Sequence, residues 1–401
     1  MKEKNLGRLN APNKVERLKG LRKLLILYDT GALDEPITGI NVNNHIHTTF
    51  SFSPYSPTKA VYHSWDSGLA TTGIMDHDSV GGAEEFIAAG KAIGMPVTVG
   101  FEMRCSLAGT PFEGKRINNP DQKSVAYLAM HGIPHHMLGE ADKFLAPYRE
   151  KRNIRNWKMV DKLNTELKSY GIKLDFTNDV LPLSEYSSGG SVTERHILFA
   201  LAAKFTEKDL PRHFLLNMFK SQLVERFYVE ANEELPHITD FVALSKKLGS
   251  IPAYAYLGDV GISVTFDKKT QKFEDSFLDE LITYIAEIGM RAVTYMPARN
   301  NAKQLSRIKA LCEEHNLFQI SGEDINSPMQ SFICEKIVTP EFRHLIDSAW
   351  ALIGHEIAAG RDLSEGMFSP ETIKRLPNLG DRIEHFVEIA QKQHKRGKRK
   401  Q

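Results

Sequence analysis

The chain alternates between two textures. The first forty residues hold one amphipathic segment, Lys14 to Tyr28, whose Leu18, Leu21, Leu24, Leu25 and Tyr28 recur at helical spacing before Gly31. From Asn41 short apolar runs take over, separated by longer helical patterns. GINVNNHIHTTF, LATTGIMDHDSV and MPVTVGFEMRC read as strands, and SPTKAVYHSWDSG and GGAEEFIAAGKAIG as the helices between them, with Ser56 or Thr58 as a cap and Gly94 as a stop. That rhythm predicts parallel βαβ units. SVAYLAMHGIP is a further strand. Residues 137–250 are charge-rich and nearly all helical in pattern, which predicts a helical insertion. Strand texture returns with IPAYAYLGDV, MRAVTYMP and FQISGEDI, and GISVTFDKKTQKFED predicts a β-hairpin excursion. From about Pro340 the pattern is helical, closing on HKRGKRKQ, a basic run expected to be a solvated, disordered end. The expected parts are therefore a helical extension (1–38), the first part of an α/β barrel (39–136), the insertion (137–250, returning to a barrel motif near 196), the second part of the barrel (251–335) and a helical C-terminal extension (336–401).

Composition narrows the function classes. The 401 residues are 41% hydrophobic and 25% charged, enough for a full core in one large domain or in two to three smaller ones. Lys+Arg 51 against Asp+Glu 50 gives a net charge of +1, which argues against bulk affinity for nucleic acid or an anionic membrane. Cys105, Cys312 and Cys334 are too few and too scattered for a disulfide framework, and no run approaches a membrane span or a signal peptide. A cytoplasmic protein is expected. The 15 histidines carry meaning only through their placement.

His45-x-His47 puts two imidazoles on one side of an extended segment, where they can converge on an ion. Asp76-His77-Asp78 follows one βα unit later, and Glu102 ends the third strand. Each motif alone is weak. Three consecutive strand ends bearing ligand-type residues point to a metal site, because the C-terminal ends of barrel strands converge. His131 ends the fourth strand.

NNHIHTTFS, GIMDHDSVGG and VGFEMRC resemble the first three motifs of the PHP (polymerase and histidinol phosphatase) superfamily. SVTERHILFALAAKF, GMRAVTYMPARNNAKQLSRIKALCEEHNL and ISGEDINSP resemble later segments of the same family, in the same order. The resemblance spans about Gly39 to Ser327 and is closest to the stand-alone phosphoesterase branch. It implies a distorted (β/α)7 TIM-like barrel with a helical insertion. It implies His45, His47, Glu102 and Asp324 as ligands of a first metal and Glu102 as a bridge. His196 and, by a looser match, His131 would serve a second metal, and His77 a third. Phe52 and Asn326 stand where the family places two more ligands of that third ion, so the expectation is two divalent ions, Zn, Mn or Fe, with a third site weak or empty.

The chemistry so implied is hydrolysis of a phosphate ester of a small metabolite or nucleotide by a two-metal-activated hydroxide. Glu102 and Asp324 are its catalytic carboxylates, and Asp76 is read as an orienting one. Arg299, Arg195 and Arg104 are candidates to balance the phosphate charge, and Tyr256, where the family often has a histidine, is a candidate substrate contact. Two other readings stay open: a degenerate barrel that binds metal or ligand without turnover, and hydrolysis of another bond, such as C–N, at the same site. Oligomeric state is not legible.

Overall fold

The computed structural model describes residues 2–205, 212–260 and 271–398. Seven strands of the described residues form one sheet in chain order: β1 (Val42–Ile46), β2 (Thr71–His77), β3 (Val97–Ser106), β4 (Val125–His131), β5 (Ile251–Ala255), β6 (Ala292–Tyr295) and β7 (Phe318–Ser321). The sheet curls into a nearly closed barrel. Just past β7, Ile325 bridges Ile46 in parallel: His47 N–H donates to the Ile325 carbonyl at 2.9 Å and Ile325 N–H to the His45 carbonyl at 3.0 Å.

One strand departs from the expected direction. β4 runs antiparallel to both β3 and β5, while the other neighbouring pairs are parallel. A parallel return needs a crossover, usually a helix. Residues 107–124 form turns and bends with no helix, so the chain folds straight back. The C-terminal end of β4, with His131, therefore faces the barrel end opposite the one reached by His77. Gly100 allows the close approach of this pair, since a Cβ there would collide with the Met130 carbonyl.

Among the described residues thirteen α-helices surround the sheet: α1 (Lys2–Arg8), α2 (Lys14–Asp29), α3 (Pro57–Asp66), α4 (Ala83–Ile93), α5 (Leu138–Glu166), α6 (Glu194–Lys204), α7 (Arg212–Phe227), α8 (Ile238–Leu248), α9 (Leu278–Ile288), α10 (Ala302–Glu314), α11 (His344–Ala359), α12 (Pro370–Arg375) and α13 (Leu379–Lys398). Ile46 and Ile74 pack outward on α2, α3 and α4, and Tyr254 and Val293 on α8, α9 and α10. Ala129, Ala253, Ala292 and Ile320 meet Ala351 and Leu352 of α11 and Phe386 of α13. The helices between β4 and β5 carry a core of their own, with Met159 and Leu163 of α5, Leu198 and Leu201 of α6 and Phe219 of α7.

One terminal expectation changes. The basic end is helical as far as Lys398, because α13 continues through it. The predicted hairpin is seen only at its base, where Val260 and Gln271 pair antiparallel; its residues 261–270 lie outside the described ones.

The N-terminal extension is fastened by charge as well as by apolar contact. Arg17 of α2 meets both carboxylate oxygens of Glu85 on α4, at 2.8 and 2.6 Å, with both side chains buried. Glu85 also accepts the backbone and hydroxyl hydrogens of Thr58 at the start of α3. Arg17→Met should destabilise the protein by about 3–5 kcal/mol, because it leaves Glu85 buried and uncompensated. Urea denaturation measures this; the Arg17→Met, Glu85→Gln double variant should recover much of the loss.

Candidate metal centre

The barrel-closing bridge positions the first ligands. Ile46 and Ile325 face the outer core, so the alternation of extended backbone turns His45, His47 and Asp324 to the other side. Across β2 and β3, His77 is the register partner of Glu102. These five side chains meet. Glu102 Oε2 lies 3.5 Å from His45 Nε2, 3.9 Å from His47 Nε2 and 3.2 Å from His77 Nδ1. His47 Nε2 is also 3.3 Å from Asp324 Oδ1. Two triads have metal-binding spacing: His45, His47 and Asp324, and His47, His77 and Glu102. They share His47 Nε2, and one imidazole nitrogen has one lone pair for one ion. The triads are therefore overlapping views of one five-donor cluster.

The donors fit a divalent ion. His47 Nε2 is buried and has no hydrogen-bond partner. The far side of that ring explains why the nitrogen is available. Asp76 accepts from Thr48 N–H and Thr48 Oγ1 at 2.6 Å each, and from Ser51 Oγ at 2.5 Å. Ser51 has given its only hydrogen away, so it can only accept from His47 Nδ1, 3.2 Å distant. That places a hydrogen on Nδ1, so Nε2 is the nitrogen of this ring that can ligate an ion. Asp76 thus orients His47 through Ser51.

Charge is tightly balanced. Burial pulls the His45 pKa down, but its hydrogen bond to Glu102 and the charges of Glu102 and Asp324 outweigh this and raise it. Asp324 is held well below the usual carboxylate range: burial opposes, and His47, His45 and Arg195 prevail. Burial, then the charges of His47 and Arg152, push His77 well down. Asn326 Nδ2 donates to Asp324 Oδ1 at 2.8 Å, so the residue in the expected third-ion position serves Asp324 instead. Phe52 packs edge-on against His196 at 4.8 Å.

Not every expected residue arrives. His196 accepts the Thr193 N–H on Nδ1 at 3.0 Å, as the cap of α6. That leaves its hydrogen on Nε2, so this neutral ring has no free lone pair. Burial and Arg152 hold its pKa down to about 3. His131, at the end of β4, pairs with Ile251, the first residue of β5; burial and the nearby His45 push its pKa down to about 3, and its Nε2 has no hydrogen-bond partner. Neither histidine joins the two triads. Arg104 is buried in an ion pair with Glu234, away from the cavity lining.

The cluster lies on the wall of a cavity of about 670 Å³, which Arg195, Arg299, Tyr127 and Tyr256 also line. Lys220 and Val224 of α7 face it from the insertion. Tyr256 donates its hydroxyl hydrogen to Asp275 at 2.6 Å, so toward a substrate it can only accept.

The sequence reading missed a clamp on His77. The next residue, Asp78, has φ of +51°, an uncommon conformation for a non-glycine. Its N–H donates to the Glu102 carbonyl at 2.8 Å, its carbonyl accepts from Arg149, and its carboxylate pairs with Arg152. Arg152 and Arg155 share Glu194, and Arg155 and Arg104 share Glu234. The signal was present: Arg149, Arg152 and Arg155 recur every third residue of α5, and all three are buried.

No family model and no curated protein matches this chain. Solved structures do. An amidohydrolase from Chromobacterium violaceum, with bound sulfate and no metal, aligns with a TM-score of 0.55 and 19% identity over 77% of this chain and 96% of that one. A protein from Bifidobacterium adolescentis, proposed to be a metal-dependent phosphoesterase, aligns with a TM-score of 0.54 and 19% identity over 79% of this chain and 98% of that one. At that identity the likeness is one of fold alone. No described helix is long and apolar enough to cross a membrane.

Two outcomes test the supports of the site. Ser51→Ala removes no donor but frees the His47 tautomer, so divalent-metal affinity should fall about 10–100-fold by calorimetry with little change in Tm. The second concerns Glu274, buried beneath the β5 loop, where it accepts from Leu257 N–H, Gly258 N–H and the Tyr254 hydroxyl. Burial, against those hydrogen bonds, pushes its carboxyl up from 4.5 to about 7. Between those values the folded chain holds a proton that the unfolded chain has lost. That contribution is complete below pH 4.5 and fades as the pH rises through about 7, by at most about 3 kcal/mol. Glu274→Gln should flatten this part of the stability–pH curve; an unchanged slope refutes the assignment.

Proposed function

We propose that this protein is a metal-dependent hydrolase of a small phosphate ester, as the PHP resemblance implies. The observation that supports it most is the placement of three imidazoles around Glu102 Oε2, at 3.2–3.9 Å, on the wall of a cavity that also carries Arg195 and Arg299. His45, His47, Glu102 and Asp324 would hold the first divalent ion. His77 and the Glu102 carboxylate are the donors left for a second, which is the weaker of the two because neither His196 nor His131 belongs to the two triads. Zn, Mn and Fe suit this mixture of imidazole and carboxylate. Such an ion supplies Lewis-acid polarisation of a phosphoryl oxygen and acidifies water.

The chain's own groups set the rest. Arg195 and Arg299 would bind the phosphate oxygens and oppose their charge in a partly desolvated cleft. Asp76 and Ser51 keep a hydrogen on His47 Nδ1, which leaves Nε2 as the nitrogen that would meet the ion. Lys220 and Val224 of α7 narrow the approach, which favours a small substrate over a polymer.

Turnover of p-nitrophenyl phosphate with Mn, Zn or Fe is the test. Wild type should be active, and His45→Ala and Glu102→Ala should each lose on the order of 10²–10³-fold. Activity that survives either substitution would sink the mechanism. The amidohydrolase neighbour motivates one competing reading, and turnover of a p-nitroanilide in place of the phosphate ester would move the assignment to C–N hydrolysis.

A further inference from the structure

Six arginines are buried among the described residues: Arg17, Arg104, Arg149, Arg152, Arg155 and Arg382. The first five each meet a carboxylate, respectively Glu85, Glu234, Asp142, Asp78 and Glu194. Arg382 meets none. It is 3% exposed, its Nε is buried without a hydrogen-bond partner, and its protein contacts are a 3.4 Å bond to the Met367 carbonyl and the face of Phe368 at 5.1 Å. A buried cation normally demands a counter-charge, because desolvation costs several kcal/mol per ion.

The surroundings show where a counter-charge would go. Arg382, on the first turn of α13, lines a cavity of about 140 Å³ together with Arg291, His315, Asn316 and Phe368. The cavity has room for more than one water, at roughly 30 Å³ each in the liquid. No carboxylate lines it, and neither Arg291 nor Arg382 makes an ion pair with a described residue. Arg291 directly precedes β6 and Leu317 precedes β7, so the cavity opens at the N-terminal end of the barrel, away from Glu102 and Asp324. Burial and the neighbouring Arg291 also loosen the proton on Arg382, as expected for two cations facing each other without an anion.

We propose that Arg291 and Arg382 form a binding site for a tetrahedral oxyanion of the phosphate class, at the opposite end of the barrel from the metal cluster. Two guanidinium groups present fork-shaped donors that suit such an ion. Its occupant would tie α13 to the strand end before β6. This does not rest on the hydrolytic reading and holds whatever bond the cluster cleaves.

Calorimetric titration of the full chain with inorganic phosphate at constant ionic strength tests it. Binding should persist in His47→Ala, which removes a donor from the cluster, and weaken about tenfold or more in Arg291→Gln and in Arg382→Gln. Arg291 is exposed, so its variant carries the test should the buried substitution misfold. Unchanged isotherms in Arg291→Gln, or loss of all phosphate binding in His47→Ala, overturn the proposal. Acetate that displaces phosphate with equal affinity overturns the assignment to tetrahedral oxyanions.

Discussion

The site is organised around one carboxylate oxygen. Glu102 Oε2 sits among three imidazole nitrogens from the ends of β1 and β2, and every nearby element has to respect that meeting point. Like-charged rings at this spacing would repel, and neutral rings would turn their lone pairs on each other. The cluster therefore needs Glu102, Asp324 and an added cation to be self-consistent, and this makes it a place to hold metal more than a place to add stability. Barrel closure through Ile46 and Ile325 is the geometric side of the same requirement, since it brings His47 to Asp324.

Around that centre, the polar groups act mostly by restricting one another. Asp76 takes three hydrogens and so decides which nitrogen of His47 keeps its own. The insertion contributes more than a roof: Arg149 and Arg152 reach across to Asp78 and hold a strained backbone immediately after a ligand. An alternating chain of arginines and carboxylates then carries the constraint through Glu194 and Glu234 to Arg104. Arg104 is more valuable there than it would be facing substrate, because removing any buried member strands its neighbours' charge. Set against this fully paired network, the lone Arg382 at the other end stands out.

Much of the centre was legible in the chain. His45, His47, His77 and Glu102 were singled out from motifs read at strand ends and Asp324 from the PHP resemblance, and the structure brings all five together, with Glu102 inside β3. Two more histidines stay outside the two triads. His131 ends β4, which reverses because residues 107–124 hold no helix to return the chain, and it lies buried near His45. His196 sits where a helix begins, and the unsatisfied N–H of Thr193 claimed its Nδ1. Neither competing demand shows in a spacing pattern.

By itself, then, the sequence determined the α/β alternation, the helical character of residues 137–250 and the ligand types gathered at the strand ends, because periodicity and strand-end chemistry are local properties. Only the tertiary structure decided strand direction, proton placement and the pairing of buried charge. A β-strand reads the same in either direction until its neighbour is known. A histidine's tautomer is set by the residue its other nitrogen meets. An arginine's role depends on whether the fold brings it a carboxylate, as at Arg152, or leaves it facing another cation, as at Arg382.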